Sequence, residues 1–191
     1  MIHQLPYHFV LASKSPRRHE LLRGLGLEFE IRTRDTDESF SSELVNEEIA
    51  LFLAEVKAHA MRDTLKSDEL IITADTIVCL GDKVLNKPSD AEEAHGMLRT
   101  LSGKMHKVFT GVCLMTAQKQ QLFYDETRVF FRHLKDDEIS YYVENYRPYD
   151  KAGSYGAQEW MGYVGVERIE GSYFNVMGLP VHKLYAQLMA F

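Results

Sequence analysis

The apolar run Phe9-Val10-Leu11-Ala12 passes directly into Ser13-Lys14-Ser15-Pro16-Arg17-Arg18 and then into the amphipathic stretch His19-Glu20-Leu21-Leu22-Arg23-Gly24-Leu25. A strand, a tight polar loop and a helix start are compressed into one supersecondary unit. Ser15 is placed to cap the helix, and Pro16 suits its first position, where no amide hydrogen is needed. The backbone amides freed at a helix N-terminus favour anions, and two arginines in the first turn bring cationic forks to the same spot. The hexapeptide reads as a phosphate site or, equally, as a well-capped helix carrying solvated arginines.

Polar residues at other strand ends favour the first reading. Leu70-Ile71-Ile72 runs into Thr73-Ala74-Asp75-Thr76 and resumes as Ile77-Val78-Cys79-Leu80, so a carboxylate interrupts what otherwise looks like buried sheet. An ionised Asp is expensive there unless a cation or hydrogen-bond donors meet it. A turn at Gly81-Asp82 predicts a hairpin that carries the chain on to Lys87, so that Asp75 and Lys87 face one cleft. The stretch 149–158 is a glycine-punctuated loop, poor in apolar residues and rich in groups able to bond a ligand.

The remaining pattern alternates helix and strand. Ile49, Phe52, Leu53, Val56 and Ala60 trace one face of a helix over about 47–64, with Lys57 beside the stripe, where a snorkelling surface lysine is the plain expectation. Ser89-Asp90-Ala91-Glu92 reads as a capping box opening a helix that closes at Leu101-Ser102-Gly103. Strands are expected over 108–116, 122–134 and 163–170, and helices over 136–145 and 179–191. Tyr141, Tyr142 and Tyr146 share a helical segment and read as core or interface rather than as a stacking stripe. The order gives a mixed α/β fold, and 191 residues, 45% of them hydrophobic, suffice for one sizeable core, hence a single domain over 1–191. The net charge of −6 argues against a nucleic-acid binder. No segment has the length and apolarity of a membrane span or the plan of a signal peptide, so a cytoplasmic protein is expected. Cys79 and Cys113 sit apart in strand-like segments and read as buried thiols, and the 8 histidines show no metal-binding spacing.

Six ordered motifs carry a family resemblance: Ser-x-Ser-Pro-Arg-Arg at 13–18, Ala-Asp-Thr at 74–76, Lys-Pro at 87–88, Leu-Ser-Gly at 101–103, Asp-Lys-Ala-Gly-x-Tyr at 150–155 and Gly-Leu-Pro at 178–180. In order and spacing the chain from about 9 to 191 resembles the Maf proteins, which are similar to inosine triphosphate pyrophosphatases. The resemblance implies an elongated mixed sheet flanked by helices, two lobes around a central cleft, and hydrolysis of a nucleoside triphosphate to the monophosphate and pyrophosphate with a divalent metal (Mg, Mn or Co). It assigns Ser13, Arg17 and Arg18 to the phosphate loop, Lys57 and Lys87 to the triphosphate, and Asp75 to activating water or binding metal. Glu38 aligns with a family carboxylate for the metal, with Asp37 beside it as an alternative; without the family the acidic run 35–39 is a solvated loop. Thr76 and Gln158 match positions associated with the base, and Arg17, Thr76, Tyr155 and Gln158 together resemble the dTTP and UTP pyrophosphatase branch. Where the family usually follows that glutamine with glycine, this chain has Glu159-Trp160-Met161-Gly162, and Trp160 is a competing aromatic partner for a base. The resemblance also implies a homodimer, and its link to septum formation leaves a nucleotide-binding regulator as the alternative function.

Overall fold

The computed structural model describes residues 2–191; Met1 lies outside them. In chain order the elements are β1 (His8–Leu11), α1 (Pro16–Gly24), β2 (Phe29–Ile31), α2 (Glu47–His59), β3 (Glu69–Leu80), β4 (Lys83–Leu85), α3 (Ala91–Leu101), β5 (Met105–Met115), β6 (Gln120–Phe131), α4 (Asp136–Tyr146), α5 (Trp160–Gly165), β7 (Val166–Glu170), α6 (Tyr173–Met177) and α7 (Val181–Ala190). One seven-stranded mixed sheet runs β2-β1-β3-β5-β6-β7, with β4 paired to β3, and helices flank it. The mixed α/β class expected from the alternating pattern is therefore present. Among the described residues no helix is long and apolar enough to cross a membrane. The chain divides into two compact units, one of residues 1–76, 110–125 and 178–191, the other of 77–109 and 126–177.

In the first unit β1 pairs in parallel with both β2 and β3, setting Val10 beside Glu30 and Ile71. Phe9, Val10 and Leu11 are buried, as are Leu70, Ile71 and Ile72, which is why these strands read as unbroken apolar runs. Helix α2 lies very close to the sheet. Ala50, Ala54 and Ala58, spaced i, i+4, i+8, are fully buried along it. The Thr73 hydroxyl donates to the Ala54 carbonyl at 2.6 Å. At Gly111 of β5 a Cβ would stand 2.3 Å from the Ala50 carbonyl oxygen. Three methyl-sized side chains and one missing one thus let helix and strand touch backbone to backbone. The helix stops at His59, short of the expected 64, because the next residues tighten into a 3₁₀ turn over Arg62–Thr64. The Thr64 hydroxyl closes that turn on the Met61 carbonyl at 2.7 Å.

Glu69, at the start of β3, is 2% exposed and takes both arms of the Arg32 fork at 2.8 and 2.9 Å. Those bonds, with the Lys66 backbone amide and ammonium, hold its carboxyl at about 2 against the desolvation that opposes them.

In the second unit β3 turns at Gly81, whose φ is +58°, and pairs back on β4 with Val78 beside Leu85. The cap of α3 falls one residue later than the sequence pattern suggests. Asp90 accepts from the Glu93 amide at 2.9 Å, and the Glu93 carboxylate accepts from the Ser89 amide at 2.7 Å. Leu98, Val108, Val129, Ile139, Tyr142 and Met161 share one core. The strand expected over 163–170 is present only from Val166. Before it α5 forms, because the Glu159 carbonyl accepts from the amides of both Gly162 and Tyr163. Gly162 permits that turn: a Cβ there would lie 1.8 Å from the Ala157 carbonyl oxygen. Cys79 and Cys113 are buried thiols.

Adding one methyl at Gly111 should force α2 off the sheet. Gly111→Ala is expected to lose about 1–3 kcal/mol, lowering the melting midpoint by roughly 2–4 °C per kcal/mol; a melt within about 1 °C of wild type would show that the helix moves freely. Arg32→Ala strands a buried carboxylate and should lose about 3–5 kcal/mol at pH 7 in urea unfolding. The carboxyl's folded-state value lies below its ordinary 4.5, so its contribution is complete above that pH and disappears as pH falls toward 2. The gap between wild type and Arg32→Ala should therefore narrow in acid, and a gap independent of pH would exclude Glu69 as its source.

Candidate active site

The polar loop after β1 is ordered by Ser13 rather than Ser15. Ser15 occupies the N-cap of α1 without a side-chain cap bond, and Pro16 follows in the first turn as the sequence requires. The Ser13 hydroxyl instead accepts from the Ser15 amide at 3.2 Å, while His19 Nε2 meets the Ser13 carbonyl at 2.7 Å. The loop is thus closed on itself, with the helix N-terminus at its mouth.

Arg18 crosses from α1 to the sheet. Its Nε donates to the Gly178 carbonyl at 2.7 Å and its Nη2 to the Thr76 hydroxyl at 2.9 Å, with Nη1 3.5 Å from Ser13 Oγ. The Gly-Leu-Pro motif earns its glycine here, since Gly178 has φ +114° and turns its carbonyl onto the guanidinium. Burial pulls the Arg18 pKa down, and the neighbouring charge of Asp75 raises it, so the cation is held by neutral acceptors and steadied by a nearby anion. Arg17, half-buried beside it, is near enough for its own charge to act on Arg18. Thr76 is therefore joined to the arginine at the start of α1, and its hydroxyl also lies 2.9 Å from that of Thr110.

Asp75 is the neighbour of Thr76 on β3. The strand runs through both residues without a break, and Asp75 remains 9% exposed. It is met by Lys57, which the close docking of α2 brings within direct hydrogen-bond contact of Asp75 Oδ1. The same ammonium lies 2.9 Å from Glu38 Oε1. With its side chain 17% exposed, Lys57 is no snorkelling surface residue. Asp37 serves its own loop instead, accepting from the Ser39 amide at 2.9 Å. Ser13, Arg18, Thr76, Asp75, Lys57 and Glu38 thus form a connected polar cluster in the first unit.

Lys87 and Gln158 belong to the second unit. Lys87 is exposed just beyond β4. Gln158 is half-buried, and its Oε1 is fully covered with no hydrogen-bond partner, which leaves a buried acceptor unsatisfied. Around it the 150–159 loop is heavily anchored. Lys151, 8% exposed, pairs with Asp150 at 2.7 Å and with Glu159 at 3.0 Å. Tyr155 is buried with its hydroxyl 2.7 Å from His106 Nε2, and burial lowers the His106 pKa to about 4, keeping that imidazole neutral. Trp160 packs on Tyr141 with ring centres 4.9 Å apart. Thr110, Glu159 and Tyr142 were not singled out as site residues by sequence pattern; only Glu159 carried a signal, as a departure from the family motif.

Among the described residues no group of three or more His, Cys, Asp or Glu is arranged to hold a metal ion. The donor set nevertheless suits a hard divalent cation. Two carboxylates, Asp75 and Glu38, already converge on one positive charge, the Lys57 ammonium, and magnesium-type ions are held by one or two carboxylates with water and substrate phosphates completing the shell.

Relatives are numerous and similar over nearly their whole length. The chain is 54% identical over 186 residues to a dTTP/UTP pyrophosphatase of Parabacteroides distasonis, covering 97% of this chain and 96% of that one. It is 56% identical over 183 residues to a dTTP/UTP pyrophosphatase of Bacteroides fragilis, covering 95% of each. Among solved structures it is similar to a nucleoside-triphosphatase, dITP/XTP pyrophosphatase, of Mycobacterium abscessus, with 15% identity, a TM-score of 0.48 and coverage of 96% and 95%. The family model of the Maf-like proteins matches residues 8–191, and the chain belongs to that family.

Proposed function

We propose that this protein is a nucleoside triphosphate pyrophosphatase that hydrolyses dTTP and UTP to the monophosphate and pyrophosphate. The observation that carries the reading is the buried Asp75 carboxylate, held by Lys57 on the strand whose next residue binds the phosphate-loop arginine. The names borne by relatives more than half identical over almost the full length point to the same reaction.

Water attacks the α-phosphorus, the bond to the α–β bridging oxygen breaks, and the attacking water gives up a proton. The α1 N-terminus with Ser13, Arg17 and Arg18 receives phosphate oxygens, its amides and guanidinium groups offering fixed donors where negative charge accumulates. Lys57 and Lys87 act as point charges on the polyphosphate. Asp75 orients the water and accepts its proton. Glu38 and Asp75 would hold a divalent metal, whose chemistry when bound is to neutralise phosphate charge and polarise the phosphorus. The Lys57 ammonium, which neutralises both carboxylates, is also placed to meet a substrate phosphate. Gln158, whose side-chain carbonyl is turned inward without a partner, would turn its amide toward the base, where Oε1 suits the N3–H of thymine or uracil and the NH₂ a ring carbonyl. The Arg18 bond to the Thr76 hydroxyl supports a role for that threonine beside the phosphate-binding loop as well as at the base. A nucleotide substrate is consistent with a cytoplasmic location.

Asp75→Asn keeps the volume and removes the charge. It should reduce pyrophosphate release from dTTP by at least ~10²-fold while circular dichroism and nucleotide binding are retained; turnover close to wild type would take Asp75 out of the chemistry. Lys57→Met separates the lysine's two duties. Turnover should fall by ~10²-fold or more, whereas Mn²⁺ binding, followed by electron paramagnetic resonance, should be at least as tight as in wild type, because the resident cation has gone. Weaker Mn²⁺ binding would mean that Lys57 supports the metal instead of holding its place.

A further inference from the structure

Residue 159, where the family motif usually has glycine, lies inside the most densely anchored loop of the second unit. The Tyr142 hydroxyl donates to Glu159 Oε2 at 2.5 Å and accepts from the Gly156 amide at 3.0 Å, so one buried hydroxyl links the two ends of the segment 156–159. Glu159 Oε1 lies 3.0 Å from the Lys151 ammonium. The fit is close on the backbone side as well. A Cβ at Gly156 would stand 2.8 Å from the Glu159 carboxyl carbon. Burial, and then the bond to Glu159, push the Tyr142 pKa up, which keeps the hydroxyl protonated and able to donate. Between these two fixed points sits Gln158, its carbonyl oxygen buried and unsatisfied.

We propose that Glu159 is a positioning residue for base selection: through Tyr142 and Lys151 it fixes the backbone that presents the Gln158 amide, and so lets the enzyme separate uracil and thymine from cytosine. This rests on the pyrimidine reading above. The two base edges carry reversed donor and acceptor patterns, and a glutamine amide turned end for end fits either. Discrimination therefore requires that one orientation of the amide be favoured, and a loosened loop relaxes that requirement by letting either end reach the base. A glycine at 159 removes the acceptor of the Tyr142 proton and one of the two carboxylates on a nearly buried lysine, leaving both groups under-satisfied and the loop loosened.

The test measures kcat and KM for dTTP and dCTP, by pyrophosphate release, in wild type, Glu159→Gly, Glu159→Gln and Tyr142→Phe. Glu159→Gly should narrow the dTTP-to-dCTP ratio of kcat/KM by about tenfold, with the larger part of the change in KM. Glu159→Gln retains an acceptor for Tyr142 and should restore most of the ratio. Tyr142→Phe removes only the linking oxygen and should narrow the ratio in the same direction, which decides the matter if Glu159→Gly does not fold. Hydrogen exchange of 150–159 should quicken in Glu159→Gly and Tyr142→Phe. Ratios within about twofold of wild type in the variants that fold would overturn the proposal while leaving the pyrophosphatase reading intact. A wild-type enzyme that releases pyrophosphate from no pyrimidine triphosphate would instead remove the reading on which it rests.

Discussion

The Asp75 carboxylate sits in a strand in which Ala74 and Ile77 are buried, where the Lys57 ammonium touches it and the Arg18 charge acts on it. An isolated ionised carboxylate taken out of water loses several kcal/mol of solvation, more than any neighbouring methyl contact can return. Much of the first unit is arranged to keep that lysine in reach. The alanines of α2, the glycine of β5 and the Thr73 bond to Ala54 fix the height of the helix over the sheet. Glu38 then takes up the ammonium's second side from an exposed loop. The pair is a store of opposite charge held at short range.

How much of this was legible in the sequence depends on whether the signal was local. The β1-to-α1 connection could be read from Ser13 to Arg18 because Pro16 and the apolar run before it fix the chain over consecutive residues. What the residues could not tell was which serine ordered the loop, since that turns on the path of the Ser15 amide. The capping box was displaced by one position because both Ser89 and Asp90 are good caps, and only the direction of the preceding chain chooses between them. Lys57 looked like a surface lysine because its partner lies on another element, 18 residues on, and its burial depends on how closely α2 packs. The helix at 160–165 was hidden behind alternating polarity, and only the lack of room beside Gly162 reveals it. The family motifs named Asp75, Arg18 and Gln158 without showing their surroundings. The Thr110 contact to Thr76 had no signal of its own.

The two units handle polar groups differently. In the first, the carboxylates of Glu69, Asp75 and Glu38 are met by other charges, while Arg18 is held by neutral acceptors. In the second, an irregular loop is held by single hydrogen bonds from buried side chains, with Gly153 and Ser154 both at positive φ and the Gly153 amide donating to the Asn86 carbonyl at 3.2 Å. Left-handed backbone at a serine costs energy that its neighbours must offset. Such a loop exchanges flexibility for a fixed presentation of its side chains.

The alanine stripe of α2 has an evolutionary side. Positions 50, 54 and 111 carry no functional group, yet a larger side chain at any of them lifts the helix and draws the Lys57 ammonium away from Asp75. Overpacking at such sites is costly to folding in itself, so stability and the contact between Lys57 and Asp75 press in the same direction. A descendant that lost the two charged partners but kept its fold would still be held to small residues here, and the packing would outlast the polar pair it now positions.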